Sequence, residues 1–213
     1  MMDFIQNEKI DTKIINNYQK LIMLIGSRFP EANYNLNLFL SYLDNFCFSD
    51  KSLILIPLSL NANKQAIKRI FIHYQFEIDN DSKFNIGEES VWSKGNVKLL
   101  VGTNKFSSWS NLPEVGLANA GTATEQICGL GIPALSIPGK GPQFNRSFAK
   151  RQERLLGGSV SVCDSKKIFI EKLSLLLHNK EFRLKQAKTG IERMGSQGAS
   201  QRIVEYLNLK LLK

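Results

Sequence analysis

Two short segments of the sequence carry residue types that can hold phosphate groups. The first is GSRFPEA, residues 26–32, in which a glycine, a hydroxyl and a planar cation precede a predicted helix. A guanidinium matches phosphate oxygens in shape and charge, and the free N–H groups at a helix N-terminus also favour an anion. The interpretation without a ligand is that Ser27 caps the helix and Arg28 pairs with Glu31. The segment therefore predicts either an anion site or a capped helix.

The second segment is NAGTATEQICGLGIPALSIPGKGPQF, residues 119–144. It places small and hydroxyl residues before and inside a predicted helix N-terminus, whose amides also favour an anion. Glu125 and Gln126 follow in the first turn, where a carboxylate could accept two hydrogen bonds from a sugar diol. The alternative is a capped helix N-terminus without a ligand, with Thr122 or Thr124 at the N-cap and Glu125 complementing the helix dipole. The segment is neither GxGxxG nor a Walker A loop, so its spacing leaves both interpretations open.

Other catalytic chemistry has little support among the residue types. His73 and His178 lack the partner spacing of a metal site or a catalytic dyad, and we expect no metal. Cys47, Cys128 and Cys163 lie far apart, and three cysteines do not make a disulfide framework, which indicates a reducing cytoplasm. The aromatic residues lie at core spacings rather than in basic stripes, so nucleic acid is not a predicted partner.

The chain is basic and of a length that suits one well-covered core. It has 213 residues, 43% of them hydrophobic, and a net charge of +9, which favours anionic partners such as phosphate ligands or acidic lipid surfaces. Many cations lie in the last third, spread through helical patterns that suit a solvated face. The start has no cationic leader followed by an apolar core, and no apolar run reaches the roughly 18 residues that span a bilayer. We expect a cytoplasmic protein whose membrane contact would be peripheral, at the inner face.

Short apolar runs alternate with longer amphipathic segments along the chain. Six runs read as buried strands, at residues 20–28, 52–60, 97–103, 115–120, 132–138 and 158–163. Helices are predicted between and after them, at residues 30–46, 63–76, 122–130, 143–157, 165–178, 181–194 and 199–209, and the polar stretch 79–95 reads as a loop or short hairpin. Apolar strands separated by helices predict an α/β fold, a doubly wound parallel sheet of about six strands with helices on both faces. Ligands on such sheets bind at the carboxyl ends of the strands. The segments at residues 26–32 and 119–144, which we call the phosphate-type segments, both fall there.

The two segments together resemble a known family of enzymes. LIMLIGSRFPEANYNLNLFLSYL resembles the LLPGSRxxE strand–turn–helix that opens the C-terminal domain of lipid-A-disaccharide synthase. ANAGTATEQICGLGIPALSIPGKGPQF resembles the nucleotide-sugar segment of that enzyme and, more distantly, of the MurG transferase and UDP-GlcNAc 2-epimerase. The chain is similar to the group called lipid-A-disaccharide synthase-related proteins, which look like two-domain GT-B glycosyltransferases. The resemblance runs from about residue 20 to the C-terminus.

The resemblance implies separate roles for two domains. In the GT-B fold the C-terminal domain binds the sugar-nucleotide donor, and the N-terminal domain supplies the acceptor site and usually the base. Residues 20–213 would then be a Rossmann-like nucleotide-sugar-binding domain preceded by an extension or linker at residues 1–19. UDP-sugar would be the substrate, with no further cofactor, and Arg28 would stabilise the leaving diphosphate. The other ligand contacts implied are Gly26, Ser27, Gly121, Thr122, Ala123, Thr124, Glu125, Gln126, Gly139, Gln143 and Phe144.

The sequence departs from the family pattern in two ways. The related transferases hold the ribose hydroxyls with a glutamate seven residues before the strand proline, but that place before Pro133 is Gln126, with Glu125 one position earlier. One helical position is a rotation of about 100°, so either side chain remains a candidate. The chain is also expected to lack the acceptor domain, which makes a separate acceptor domain or a second copy of the chain the expected protein partner. Alternatives are a non-enzymatic interaction module with a basic surface and an epimerase-like enzyme that needs a second domain.

Overall fold

An eight-stranded sheet forms the centre of the molecule. The computed structural model describes residue 2, residues 12–139 and residues 144–211. The strands are β1 (Gln19–Leu24), β2 (Ser52–Leu58), β3 (Glu77–Ile78), β4 (Ser90–Lys94), β5 (Val97–Thr103), β6 (Val115–Ala118), β7 (Ala134–Ser136) and β8 (Val160–Val162). Their order in the sheet is β3-β4-β5-β2-β1-β6-β7-β8. The six neighbouring strands β5, β2, β1, β6, β7 and β8 run parallel, which confirms the predicted fold class.

Helices cover both faces of the sheet. They are α1 (Glu31–Leu43), α2 (Lys64–His73), α3 (Phe106–Trp109), α4 (Thr122–Gly129), α5 (Arg146–Leu155), α6 (Lys166–His178), α7 (Lys180–Met194) and α8 (Ala199–Leu211). Successive side chains of a strand point to opposite faces. Leu21 and Met23 of β1 therefore join the core under α1, α2 and α6, whereas Ile22 and Leu24 join the core under α3 and α4. This alternation produces the two apolar layers of a doubly wound fold.

The polar stretch before β5 forms an antiparallel edge to the sheet. β4 pairs with β5 and the short β3 pairs with β4, both antiparallel, so the hairpin option for this stretch is the one adopted. The carboxylate of Asp79, just after β3, accepts hydrogen bonds from Ser93 on β4 and Lys98 on β5. These bonds attach the hairpin to the parallel part of the sheet.

The strand order reverses between β1 and β6. From β1 the chain proceeds outward through β2 and β5, then returns to the other side of β1 at β6. Leu24 and Ala118 are register partners at the ends of these two strands, and the N–H of Asn119 donates to the carbonyl of Leu24 at 2.9 Å. The loops that follow β1 and β6 therefore diverge from neighbouring points, and this geometry opens a crevice at the topological switch point.

The C-terminal helices differ in how they attach. α7 packs on α4 through Gly190, where an added Cβ would lie 2.4 Å from the carbonyl oxygen of Cys128. α8 contributes no buried residue, and its apolar side chains are exposed. None of the helices in the described part of the chain is both long and apolar enough to cross a bilayer.

Candidate functional site

A cleft of about 780 Å³ lies at the carboxyl edge of the sheet, at the switch point between β1 and β6. It extends on both sides of β1, because residues that follow β2 and β5 also line it. The full lining is Leu24, Ile25, Gly26, Ser27, Arg28, Glu31, Asn35, Pro57, Leu58, Ser59, Asn104, Phe106, Asn119, Ala120, Gly121, Thr122, Ala123, Gln126, Phe144 and Phe148. Both segments singled out in the sequence thus meet in one cavity.

The turn after β1 forms one wall of the cleft. Gly26 has a φ of +88°, a left-handed conformation that residues with a side chain rarely adopt, and it turns the chain towards α1. Ser27 and Arg28 follow with exposed side chains that line the cleft. Helix α1 has its N-cap at Pro30, so Ser27 does not occupy the capping position. The turn therefore places Ser27 and Arg28, both with exposed side chains, at the wall of the cavity.

The start of α4 forms the facing wall. Gly121 is the N-cap residue, so neither Thr122 nor Thr124 is at the capping position. The buried hydroxyl of Thr124 instead donates to the carbonyl of Ala120 at 2.7 Å. Thr124 is not among the described residues that line the cleft. The first N–H groups of a helix have no carbonyl partner within it. The amides of Thr122 and Ala123, at the cleft wall, are thus available to an anion.

The two candidates for a diol contact occupy different positions on α4. Gln126 is 9% exposed and lines the cleft. Glu125 is half-buried and does not belong to the described cleft lining. The difference follows from the helix start at Thr122, which sets the rotation of every later side chain. Gln126, rather than Glu125, therefore borders the cavity.

The loop after β7 reaches the cleft through its last residue. The N–H of Gly139 donates to the carbonyl of Phe144 at 3.1 Å, which closes the base of the loop. Phe144 is 3% exposed and lines the cleft, whereas Gly139 is outside the described lining. Gln143 lies outside the described residues. A ligand contact by any residue of this loop remains a prediction.

Two buried asparagines that sequence reasoning did not single out form the cleft floor. Asn119 donates to the carbonyl of Ile137 at 2.7 Å and to Asn35 Oδ1 at 3.1 Å, and it accepts from the N–H of Ile137 at 3.0 Å. Asn35 in turn donates to the carbonyl of Ile25 at 2.9 Å. The pair ties together the segments after β1, β6 and β7. An asparagine inside an apolar helix face is the sequence signal that could have identified Asn35.

The half of the cleft beyond β1 was also missed. Pro57, Leu58 and Ser59 line it at the end of β2, and Asn104 and Phe106 line it after β5. Phe106 begins the short helix α3, whose pattern is too brief to predict from periodicity. This half offers one aromatic ring and one side-chain amide, the combination that suits a flat, polar-edged ligand group.

The described cleft is bordered by groups that favour an anion and by one carboxylate, that of Glu31. The helix N-termini of α1 and α4 and the cation of Arg28 border the same cavity. The described residues contain no group of three or more potential metal ligands. Burial raises the pKa of the Cys128 and Cys163 thiols to about 12, so neither thiol is poised as a nucleophile.

The fold is similar to several solved structures. A protein of Listeria monocytogenes assigned as a UDP-N-acetylglucosamine 2-epimerase superposes with a TM-score of 0.63 at 15% identity, over 95% of this chain and 48% of that one. The UDP-GlcNAc 2-epimerase of Neisseria meningitidis, bound to UDP-GlcNAc, gives 0.58 at 20% identity, over 92% and 45%. The catalytic domain of the cholesterol-α-glucosyltransferase of Helicobacter pylori gives 0.53 at 13%, over 82% and 97%.

These similarities define the class of fold. The neighbours have GT-B glycosyltransferase-type folds, and the present chain has the architecture of one Rossmann-like half of such a fold. The chain spans about half the length of the two epimerase structures, 48% and 45%. The sequence matches no protein-family model and no curated protein. Similarity to lipid-A-disaccharide synthase in particular therefore rests on the two sequence segments.

Proposed function

We propose that the chain is the UDP-sugar-binding half of a GT-B glycosyltransferase resembling lipid-A-disaccharide synthase. The observation that carries the proposal is the convergence of Arg28 with the N-termini of α1 and α4 on one cleft at the switch point. Structural neighbours with the same half-fold include one bound to UDP-GlcNAc and one bound to UDP. The two sequence segments that resemble lipid-A-disaccharide synthase supply the walls of this cleft.

The diphosphate would bind between the two walls. The backbone N–H groups after Gly26, the hydroxyl of Ser27 and the amides of Thr122 and Ala123 would donate hydrogen bonds to its oxygens. Sugar transfer breaks the bond between the anomeric carbon and the diphosphate oxygen, so negative charge develops on the leaving UDP. Arg28 and the helix N-termini would stabilise that charge as it forms, which is the interaction that lowers the barrier.

The ribose and the base would bind further along the cleft. We assign the ribose hydroxyls to Gln126, because Gln126 rather than Glu125 is among the described residues that line the cavity. Phe106 and Asn104 would contact the uracil, with the ring of Phe106 against its face and the amide at its polar edge. An uncharged amide makes weaker hydrogen bonds to a diol than a carboxylate does. Gln126 would therefore hold the ribose less firmly than the glutamate of the related transferases.

Transfer would need an acceptor site and a catalytic base from a second domain. The chain spans about half the length of its epimerase neighbours, and the described cleft contains no histidine. A separate acceptor domain, carried by another chain or another segment, would close over the cleft. On its own, the described domain would bind the donor without transferring the sugar.

A thermal-shift measurement tests the proposal. At a UDP concentration a hundredfold above Kd, binding stabilises the native state by about 2.7 kcal/mol, which raises Tm by roughly 5 to 10 °C in a chain of this size. Arg28→Ala should remove most of this rise, because a hydrogen bond to a charged group contributes about 1.5 to 3 kcal/mol.

The matched control is Arg69→Ala, which removes an exposed arginine of α2 outside the described cleft lining. That variant should retain the full rise with UDP. Absence of any shift with UDP or UDP-GlcNAc at millimolar concentration would overturn donor binding and leave the interaction-module interpretation.

A second candidate is an epimerase-like half-enzyme, since two of the similar structures are assigned as UDP-GlcNAc 2-epimerases. Both candidates predict UDP-GlcNAc binding, so the thermal shift does not separate them. Product analysis separates them once a second domain is supplied. Transfer gives net release of UDP, whereas epimerisation leaves the nucleotide attached to the sugar.

A further inference from the structure

Helix α1 presents two polar side chains to the cleft, and both are bonded to other segments. Glu31 and Asn35 are four residues apart and therefore lie on the same side of the helix. Glu31 Oε1 accepts the backbone N–H of Phe144 at 2.8 Å. Asn35 bonds the carbonyl of Ile25 and the side chain of Asn119. The first turns of α1 thus connect the segments that follow β1, β6 and β7.

Phe144, which donates its N–H to Glu31, is also held by packing and by a second backbone hydrogen bond. Phe144 is 3% exposed and packs with Ala149 and Val162. Its ring lies 5.4 Å from that of Phe148, and its carbonyl accepts the N–H of Gly139. Phe144 and Phe148 both line the cleft. Glu31 therefore joins the α1 wall to an aromatic wall that is 113 residues distant in the sequence.

The charge of Glu31 argues against a direct role at an anion. A carboxylate in the lining of a cleft that holds a diphosphate repels that ligand, since like charges in a partly enclosed site interact strongly. A carboxylate is also an acceptor-only group, and it is well suited to hold a backbone N–H. The geometry gives Glu31 a partner in the protein at hydrogen-bond distance.

We propose that Glu31 is a positioning residue: by holding Phe144, and with Asn35 holding the floor, it sets the separation between the α1 wall and the Phe144–Phe148 wall of the cleft. The effect on ligand affinity rests on the proposed UDP site. The bond itself is a property of the free protein and can be measured without a ligand.

The test compares Glu31→Gln with Glu31→Ala. Glutamine retains an oxygen acceptor at the same position but lacks the charge, whereas alanine lacks both. We expect Glu31→Ala to weaken UDP binding about tenfold and to speed hydrogen exchange of the Phe144 amide about tenfold or more. Glu31→Gln should bind UDP as tightly as the wild type or more tightly and should keep the Phe144 amide protected.

Glu181→Ala is the matched control, because Glu181 is an exposed carboxylate in the first turn of α7 outside the described cleft lining. It loses the same helix-dipole contribution and should change neither readout. Wild-type values for Glu31→Ala in both readouts would overturn the proposal. So would Glu31→Gln behaving like Glu31→Ala, because the charge rather than the acceptor would then matter. If the wild type binds no UDP, the proposed function fails, and the exchange rate alone decides whether Glu31 holds Phe144.

Discussion

Asp79 shows how one carboxylate attaches the edge hairpin to the sheet. Its oxygens accept hydrogen bonds from the Lys98 ammonium, from Ser93 at 2.6 Å and from Ser82 at 2.8 Å. The bond from Lys98, followed by those from the serines, holds the pKa of the Asp79 carboxyl well below its usual range. The ionised Asp79 carboxylate therefore stabilises the fold fully at pH values above the pKa of this group in the unfolded chain, near 3.8. This stabilisation is lost as the pH falls below that value.

Asp79→Asn should lower the free energy of unfolding by about 2 kcal/mol at pH 7, because the amide leaves the charge of Lys98 unmatched. Urea unfolding at several pH values measures this loss, which should shrink as the pH falls from about 4 to 2, because the Asp79 carboxyl of the unfolded wild-type chain becomes protonated there while that of the folded chain stays ionised. Asp81→Asn, at an exposed neighbour, is the control and should have little effect. A loss that stays constant down to pH 2 would contradict the account of Asp79.

Some residues of the cleft could be identified from the sequence, and others could not. Gly26 and Arg28 stand out because their types suit a turn and a phosphate. Asn35 and Asn119 do not stand out, because their hydrogen bond joins positions 84 residues apart and depends on the assembled sheet. The choice between Glu125 and Gln126 depends on the residue at which α4 begins, and sequence patterns locate helix ends less reliably than helices.

Among the elements, α7 depends on a glycine for its packing. An added Cβ at Gly190 would lie 2.4 Å from the Cys128 carbonyl and 2.4 Å from Ser159 Oγ. Helix propensity alone favours alanine over glycine by about 1 kcal/mol, but the clash should dominate. Gly190→Ala should therefore destabilise the protein by about 1 to 3 kcal/mol, measured by urea unfolding. Lys185→Ala, at an exposed site of α7, should be nearly neutral. A stabilised Gly190→Ala variant would contradict the described contact between α7 and α4.

Helix α8 contributes little to the stability of the described domain. None of residues 199–211 is buried, and Ile203, Leu209 and Leu211 are 60%, 63% and 71% exposed. A chain that ends at Gly198 should therefore unfold with a free energy within about 0.5 kcal/mol of the full chain, and its Tm should shift by no more than about 2 °C. Calorimetry of both chains measures the difference. A fall of many degrees would mean that α8 packs on the domain.

The elements were more predictable than their contacts. The six parallel strands follow from continuous apolar runs, which mark strands buried on both faces. The hairpin was one of two options, because the polar stretch before β5 has no alternating pattern long enough to identify β3 or β4. Helix α3 was missed, since four residues do not define a period.

For the whole molecule, the fold fixes where a ligand can bind but not which ligand. A doubly wound sheet has its crevice at the switch point, and both phosphate-type segments lie there. The GT-B half-fold is shared by proteins that act on or bind different ligands, so function depends on the residues of the cleft. The division of the chain into residues 1–19 and 20–213 remains a prediction.

The most direct test of the proposed donor site is an NMR titration of the amide-labelled protein with UDP. Binding between the two walls should shift the amides of Ser27, Thr122 and Ala123 first, together with that of Phe106, and should leave those of α8 unchanged. Shifts confined to this set would place the diphosphate at the N-termini of α1 and α4. No shifts at millimolar UDP, or shifts concentrated away from the cleft, would contradict the proposed function.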